Sequence, residues 1–92
     1  MKYVITWSVP TEKYVATMTK FLAGGAPPPT GVKMIGRYHG LAGSNSGFIV
    51  AETNDLRTIY GWLADWMHLM TFSVVPVVED AEAAAILSAV KR

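Results

Sequence analysis

Residues 48–78, FIVAETNDLRTIYGWLADWMHLMTFSVVPVV, change hydrophobic periodicity twice, and that change decides the fold. Residues 48–53 and 71–78 are short runs rich in β-branched and aromatic types, the composition of strands. Between them Leu56, Ile59, Tyr60, Leu63, Trp66 and Met67 fall at offsets 0, 3, 4, 7, 10 and 11, one stripe of an amphipathic helix. Asn54 or Asp55 supplies its cap. Gly61 inside that helix costs about 1 kcal/mol relative to alanine and implies close packing or a small bend. Pro76 has no N–H to give to a ladder, so its strand belongs at a sheet edge or carries a bulge.

The same punctuation continues toward the N-terminus. Residues 2–9, KYVITWSV, read as a strand stopped by Pro10. Thr11 is placed to cap a helix running through Lys20 or slightly beyond, with Tyr14, Val15, Met18, Phe21 and Leu22 on one stripe and Gly24 and Gly25 as its stop. Residues 26–31, APPPTG, form a stiff extended connector. Residues 32–39, VKMIGRYH, are a further strand, joined to Phe48 through the glycine- and serine-rich segment 40–47. After the last strand Asp80 is placed to cap a helix carrying Ile86, Leu87 and Val90, with Lys91 and Arg92 suited to its C-terminal dipole. The order β-α-β-β-α-β plus a terminal helix is the split βαβ, ferredoxin-like pattern: one α+β domain over residues 1–92 with a four-stranded antiparallel sheet.

Half of the 92 residues are hydrophobic (51%) and only 16% are charged, too apolar a balance for the small interior of such a chain. Two helices cover one face of the sheet, yet the strands alternate apolar residues onto both. Val4, Phe48, Val50, Val75 and Val77 oppose Tyr3, Ile5, Trp7, Ile49, Phe72 and Val74. A second copy of the chain is the expected cover, giving a homodimeric α/β barrel. A net charge of +1 with no basic run argues against nucleic acid as a partner. The absence of a long apolar window argues against a membrane span. Without a signal-peptide pattern the expected compartment is the cytoplasm.

The stretch from Asp55 to Ala84 resembles the family catalogued as domain of unknown function 3303. The likeness is carried by Trp62-x-x-x-Trp66, Leu69, Phe72, the run Val74-Val75-Pro76-Val77 and the Glu/Ala-rich tail. Gly36-Arg37-Tyr38, leading through a turn to Phe48–Glu52, fits the same layout. It covers about two thirds of the chain and fades in the first helix and the proline connector. Residues 67–71, MHLMT, stand where the family is often acidic, so no acid role transfers there. The resemblance implies a ferredoxin-like, dimeric α/β barrel and no established activity.

No cofactor is expected: P-loop, dinucleotide-binding and HExxH motifs are all absent. The glycine-rich segment 40–47 has no lysine and joins two strands, so it reads as a hairpin tip, not a phosphate loop. His39 and His68 lie far apart with no metal-ligand spacing, and each also suits a surface or capping role. The best constellation is a face. Strict alternation places Lys33, Ile35, Arg37 and His39 on one side of their strand, expected to look toward the dimer mate together with Thr6, Glu52 and Ser73. There His39 is the candidate acid–base group, Glu52 the candidate catalytic carboxylate and Arg37 the anchor for an anionic part of a ligand. Trp7 and Trp62 are candidate walls for a flat or greasy molecule. Charge pairing of Arg37 with Glu52, within or across chains at an interface, and aromatic residues serving only as core, are the structural alternatives. The expected function is small-molecule binding in an apolar cavity, between sheet and helices or in the dimer barrel, with cofactor-free catalysis as one use of it. A structural or protein-interaction module is the alternative.

Overall fold

A computed structural model describes residues 1–41 and 43–90. The apolar alternation resolves into strands β1 (Lys2–Ser8), β2 (Lys33–His39), β3 (Ser46–Glu52) and β4 (Thr71–Val77). They form one antiparallel sheet in the order β2–β3–β1–β4. With helices α1 (Tyr14–Gly24), α2 (Leu56–Ala64) and α3 (Asp80–Ser88), the chain has the ferredoxin-like βαββαβ order followed by a helix. Pro76 does lie on an edge strand, β4.

The core lies on one face of the sheet. Tyr3, Ile5, Ile49 and Ala51 meet Ile59, Trp62 and Leu63 of α2, with Val32 beside them. Ile5 and Ile59 are its fully buried centre, each stabilising the fold by about 1.5–3 kcal/mol through burial. The buried stripe of α2 is Ile59, Trp62, Leu63 and, just past the helix, Trp66. The expected stripe is therefore rotated, since Leu56 and Tyr60 are 51% and 67% exposed. α2 also stops at Ala64, where Trp66 N–H turns back to Leu63 O (2.8 Å) and Leu69 N–H to Trp66 O (2.9 Å). These tight turns, not a further helical turn, return Trp66 and Leu69 to the core. Asp55 caps α2, accepting from Arg57 N–H (3.0 Å), and the Arg57 side chain holds its carboxyl below the usual carboxylate range. Gly61 is not closely packed: a side chain there would meet nothing.

The other two helices are thinly packed. Thr11 does not cap α1; Thr11–Lys13 form a 3-10 turn after Pro10, and α1 then begins at Tyr14 without a side-chain cap. No residue of α1 is fully buried, and Val15 and Leu22 face outward. Asp80 is the first residue of α3 instead of its cap. With Glu82 it places negative charge where the helix dipole favours it. α3 buries none of its residues, and Ile86, Leu87 and Val90 are exposed. Lys91 and Arg92 lie outside the described residues. The described chain extends 51 × 30 × 19 Å, with a radius of gyration of 15.6 Å; about 12 Å is typical of a compact chain of this size.

One irregularity changes the meaning of β2. Met34 stands opposite Ala51 and Gly36 opposite Val50, so Ile35 is an extra residue, a β-bulge. Before the bulge, Lys33 lies opposite Glu52 on the outer face. After it, Arg37 stands opposite Ile49 and His39 opposite Gly47, on the inner, helix-covered face. The expectation that Lys33, Arg37 and His39 share the outer face with Glu52 is thus corrected, because one inserted residue reverses the parity of a period-two strand.

At the opposite end of the sheet from these two residues, Thr53 forms a polar knot. It is 5% exposed; its hydroxyl donates to Gly31 O (2.9 Å) and accepts from Asp55 N–H (3.1 Å), while its backbone exchanges bonds with Met1. Thr58 completes the knot by donating to Asp55 O (2.5 Å). The start of β1, the turn before β2, the end of β3 and the start of α2 are joined there. Urea unfolding should find Thr53→Val destabilised by about 1–3 kcal/mol, because the Asp55 amide and Gly31 carbonyl lose their partner. In the same assay Gly61→Ala should be more stable than the parent by about 0.5–1 kcal/mol.

Candidate functional site

The inner face is not filled from end to end. α2 seals the half of the sheet near Tyr3 and Ala51, whereas α1 roofs the other half without entering it. The result is a cavity of about 320 Å³ between α1, α2 and the sheet. Trp7, Ile49 and Phe72 form its floor, Trp62, Leu63 and Trp66 one wall, and Met18 and Phe21 of α1 the roof. Arg37 and His39, turned inward by the bulge, stand at its β2 side. Asn45 and Ser46, where the β2–β3 connection enters β3, contribute polar groups to the rim.

Small residues make room for the large ones. Trp7 is paired with Gly47 on the neighbouring strand, and a β-carbon at Gly47 would collide with the Trp7 indole and the Tyr38 carbonyl. Glycine there lets the indole lie across the strand and become floor. Asn45 adopts φ 51°, a left-handed conformation that asparagine tolerates, and its carbonyl accepts from Val9 N–H (2.8 Å). The connection from β2 to β3 is closed on itself by bonds from Gly40 N–H to Ser46 O (2.8 Å) and from Ser44 N–H to Leu41 O (3.1 Å).

Arg37 is half-buried. Its Nη1 donates to the carbonyl of Ala26 in the connector after α1 (2.7 Å), and its guanidinium lies 5.2 Å from the Phe21 ring centroid. Burial pulls its pKa down from the ordinary arginine value, with no carboxylate nearby to oppose the shift. The His39 imidazole sits edge-on to Trp7 and tilted against Phe21, with both centroids at 5.4 Å. Phe21 therefore touches both candidate polar residues, a role not apparent from its place on a helical stripe.

Of the five residues singled out from the sequence, Trp7, Arg37, His39 and Trp62 line this one cavity and Glu52 does not. Glu52 lies on the outer face against Lys33, so the sheet itself separates it from His39. Within one chain that geometry keeps Glu52 away from both His39 and Arg37. His68 is exposed in the turn beyond α2. Among the described residues no cluster of histidine and acidic side chains is arranged to hold a metal ion.

The sequence profile of a family described as Domain of unknown function (DUF3303) matches residues 1–91. The chain belongs to the DUF3303 family. The match runs through α1 and the proline connector, where the resemblance noted above fades, so in this DUF3303 protein the cavity roof falls within the family region. No curated protein and no solved structure matches the chain. Because the Trp7 indole and the Tyr38 carbonyl already fill the space a side chain at Gly47 would need, Gly47→Ala should cost about 1–3 kcal/mol through overpacking. It should also shift tryptophan emission as the Trp7 indole is displaced.

Proposed function

We propose that this DUF3303 protein binds a small, flat, apolar molecule in the cavity between sheet and helices, and that it does so as a homodimer. The observation that carries the binding function is the cavity's composition: three tryptophans, two phenylalanines and two methionines around one arginine and one histidine. Apolar walls with a few convergent polar groups are what a small-molecule site requires.

The outer face supports the dimer. Val4, Val50 and Val75 form a row across β3, β1 and β4, flanked by Phe48 and Tyr38, whose rings are 5.1 Å apart. Tyr38 is 55% and Phe48 41% exposed on this side. Their neighbours Thr6 and Ser73 are small and uncharged, so a second sheet is able to approach closely. A mate covering this face leaves the cavity untouched, because the two lie on opposite sides of the sheet.

Isothermal titration with naphthamide, a neutral flat probe, should give saturable binding that Met18→Trp weakens at least tenfold by filling the roof. Failure of the parent protein to bind either naphthamide or its carboxylate analogue naphthoate would remove the proposed function. In sedimentation equilibrium the parent should be a dimer, and Val50→Glu should shift it to monomer with unchanged far-ultraviolet circular dichroism. A parent that stays monomeric at high concentration would defeat the homodimer.

A further inference from the structure

Arg37 has a feature that the apolar walls do not account for. Its guanidinium is half-buried beside Phe21, and among the described residues it forms no ion pair. The chain's acidic residues are Glu12, Glu52, Asp55, Asp65, Glu79, Asp80 and Glu82, and none of them lines the cavity. The other cation near these walls, Lys20, lies 4.7 Å from the Trp66 ring and is already paired with Asp65 (3.3 Å). Among the described residues Arg37 alone therefore brings uncompensated positive charge to the cavity rim, and a partly desolvated guanidinium is stabilised by a bidentate anion. One of its five N–H donors is used on Ala26 O, which fixes the side chain and leaves the rest for a ligand.

We propose that the ligand is a monocarboxylate with a flat apolar body, its carboxylate held by Arg37 and its body lying among Trp7, Trp62 and Phe72. The inference rests on the cavity-binding function proposed above and adds the chemical class of the ligand. A single cation matches a single negative charge. A phosphate ester would call for a second cation or a nest of free backbone N–H groups. Among the described residues of the adjoining loop, Gly40 and Ser44 direct their N–H groups back into the loop. His39, whose ring touches Trp7 and Phe21, closes the same rim and is placed to donate a further hydrogen bond when its tautomer allows.

Naphthoate and naphthamide have nearly the same shape and differ in charge, so comparing them isolates the arginine's contribution. Titrated at neutral pH and low salt, naphthoate should bind the parent protein at least tenfold more tightly than naphthamide. Arg37→Gln should abolish that difference, whatever its effect on naphthamide binding itself. Arg37→Lys should restore part of it. Equal binding of the two probes to the parent would overturn the carboxylate assignment and leave the cavity function standing. Failure of both probes to bind would remove both. Should Arg37→Gln not fold, the comparison on the parent protein decides alone, with the naphthoate advantage expected to shrink as salt is raised.

Discussion

A single inserted residue governs what this sheet presents to each side. β-strands have a side-chain period of two, so the bulge at Ile35 moves every later residue of β2 to the face opposite its unbulged place. Without it Arg37 and His39 would look outward beside Glu52, and Tyr38 would point into the helices. With it the guanidinium and the imidazole enter a space walled by tryptophan, and the Tyr38 ring lies outside against Phe48. The apolar body of the cavity follows from α2 and the central strands, but its polarity follows from this bulge.

The architecture was legible because its determinants are local and repeat. Pro10, the Gly24–Gly25 pair, the proline connector and the 40–47 turn separate segments whose periods differ, and the resulting element order is the one observed. What was not legible depends on contacts across the fold. The Ile35 bulge has no glycine at the extra position to announce it, although Gly36 follows directly. The rotation of α2, which buries Trp62 and exposes Tyr60, depends on which of two overlapping stripes meets Ile5 and Ile49. Phe21 and the Ala26 carbonyl became part of the site only because the connector after α1 returns to β2. Trp7, Arg37, His39 and Trp62 reach one cavity, though the face on which two of them were expected was the wrong one.

Helices and sheet divide the work unevenly. α2 contributes three of the residues in the buried cluster and α1 contributes none, so stability concentrates where Ile59, Trp62 and Leu63 meet β1 and β3. The price of a cavity is paid in α1, whose Phe21 is only half-buried over open volume. Its position is held from outside the core: Lys20 reaches Asp65, and the connector that follows is bonded to Arg37. The side chain that gives the cavity its charge thus also anchors the chain leaving its roof.

The polar knot around Thr53 has a wider consequence. It gathers the start of β1, the turn before β2, the end of β3 and the start of α2 at one pole, while the cavity opens at the other. The hydrogen bonds of the tied pole involve none of the residues around the cavity, whereas Ile49, Trp62 and Leu63 serve the buried cluster and the cavity wall together. Such a layout is tolerant of change: a substitution at the rim of the open pole leaves the ties that fix the scaffold intact.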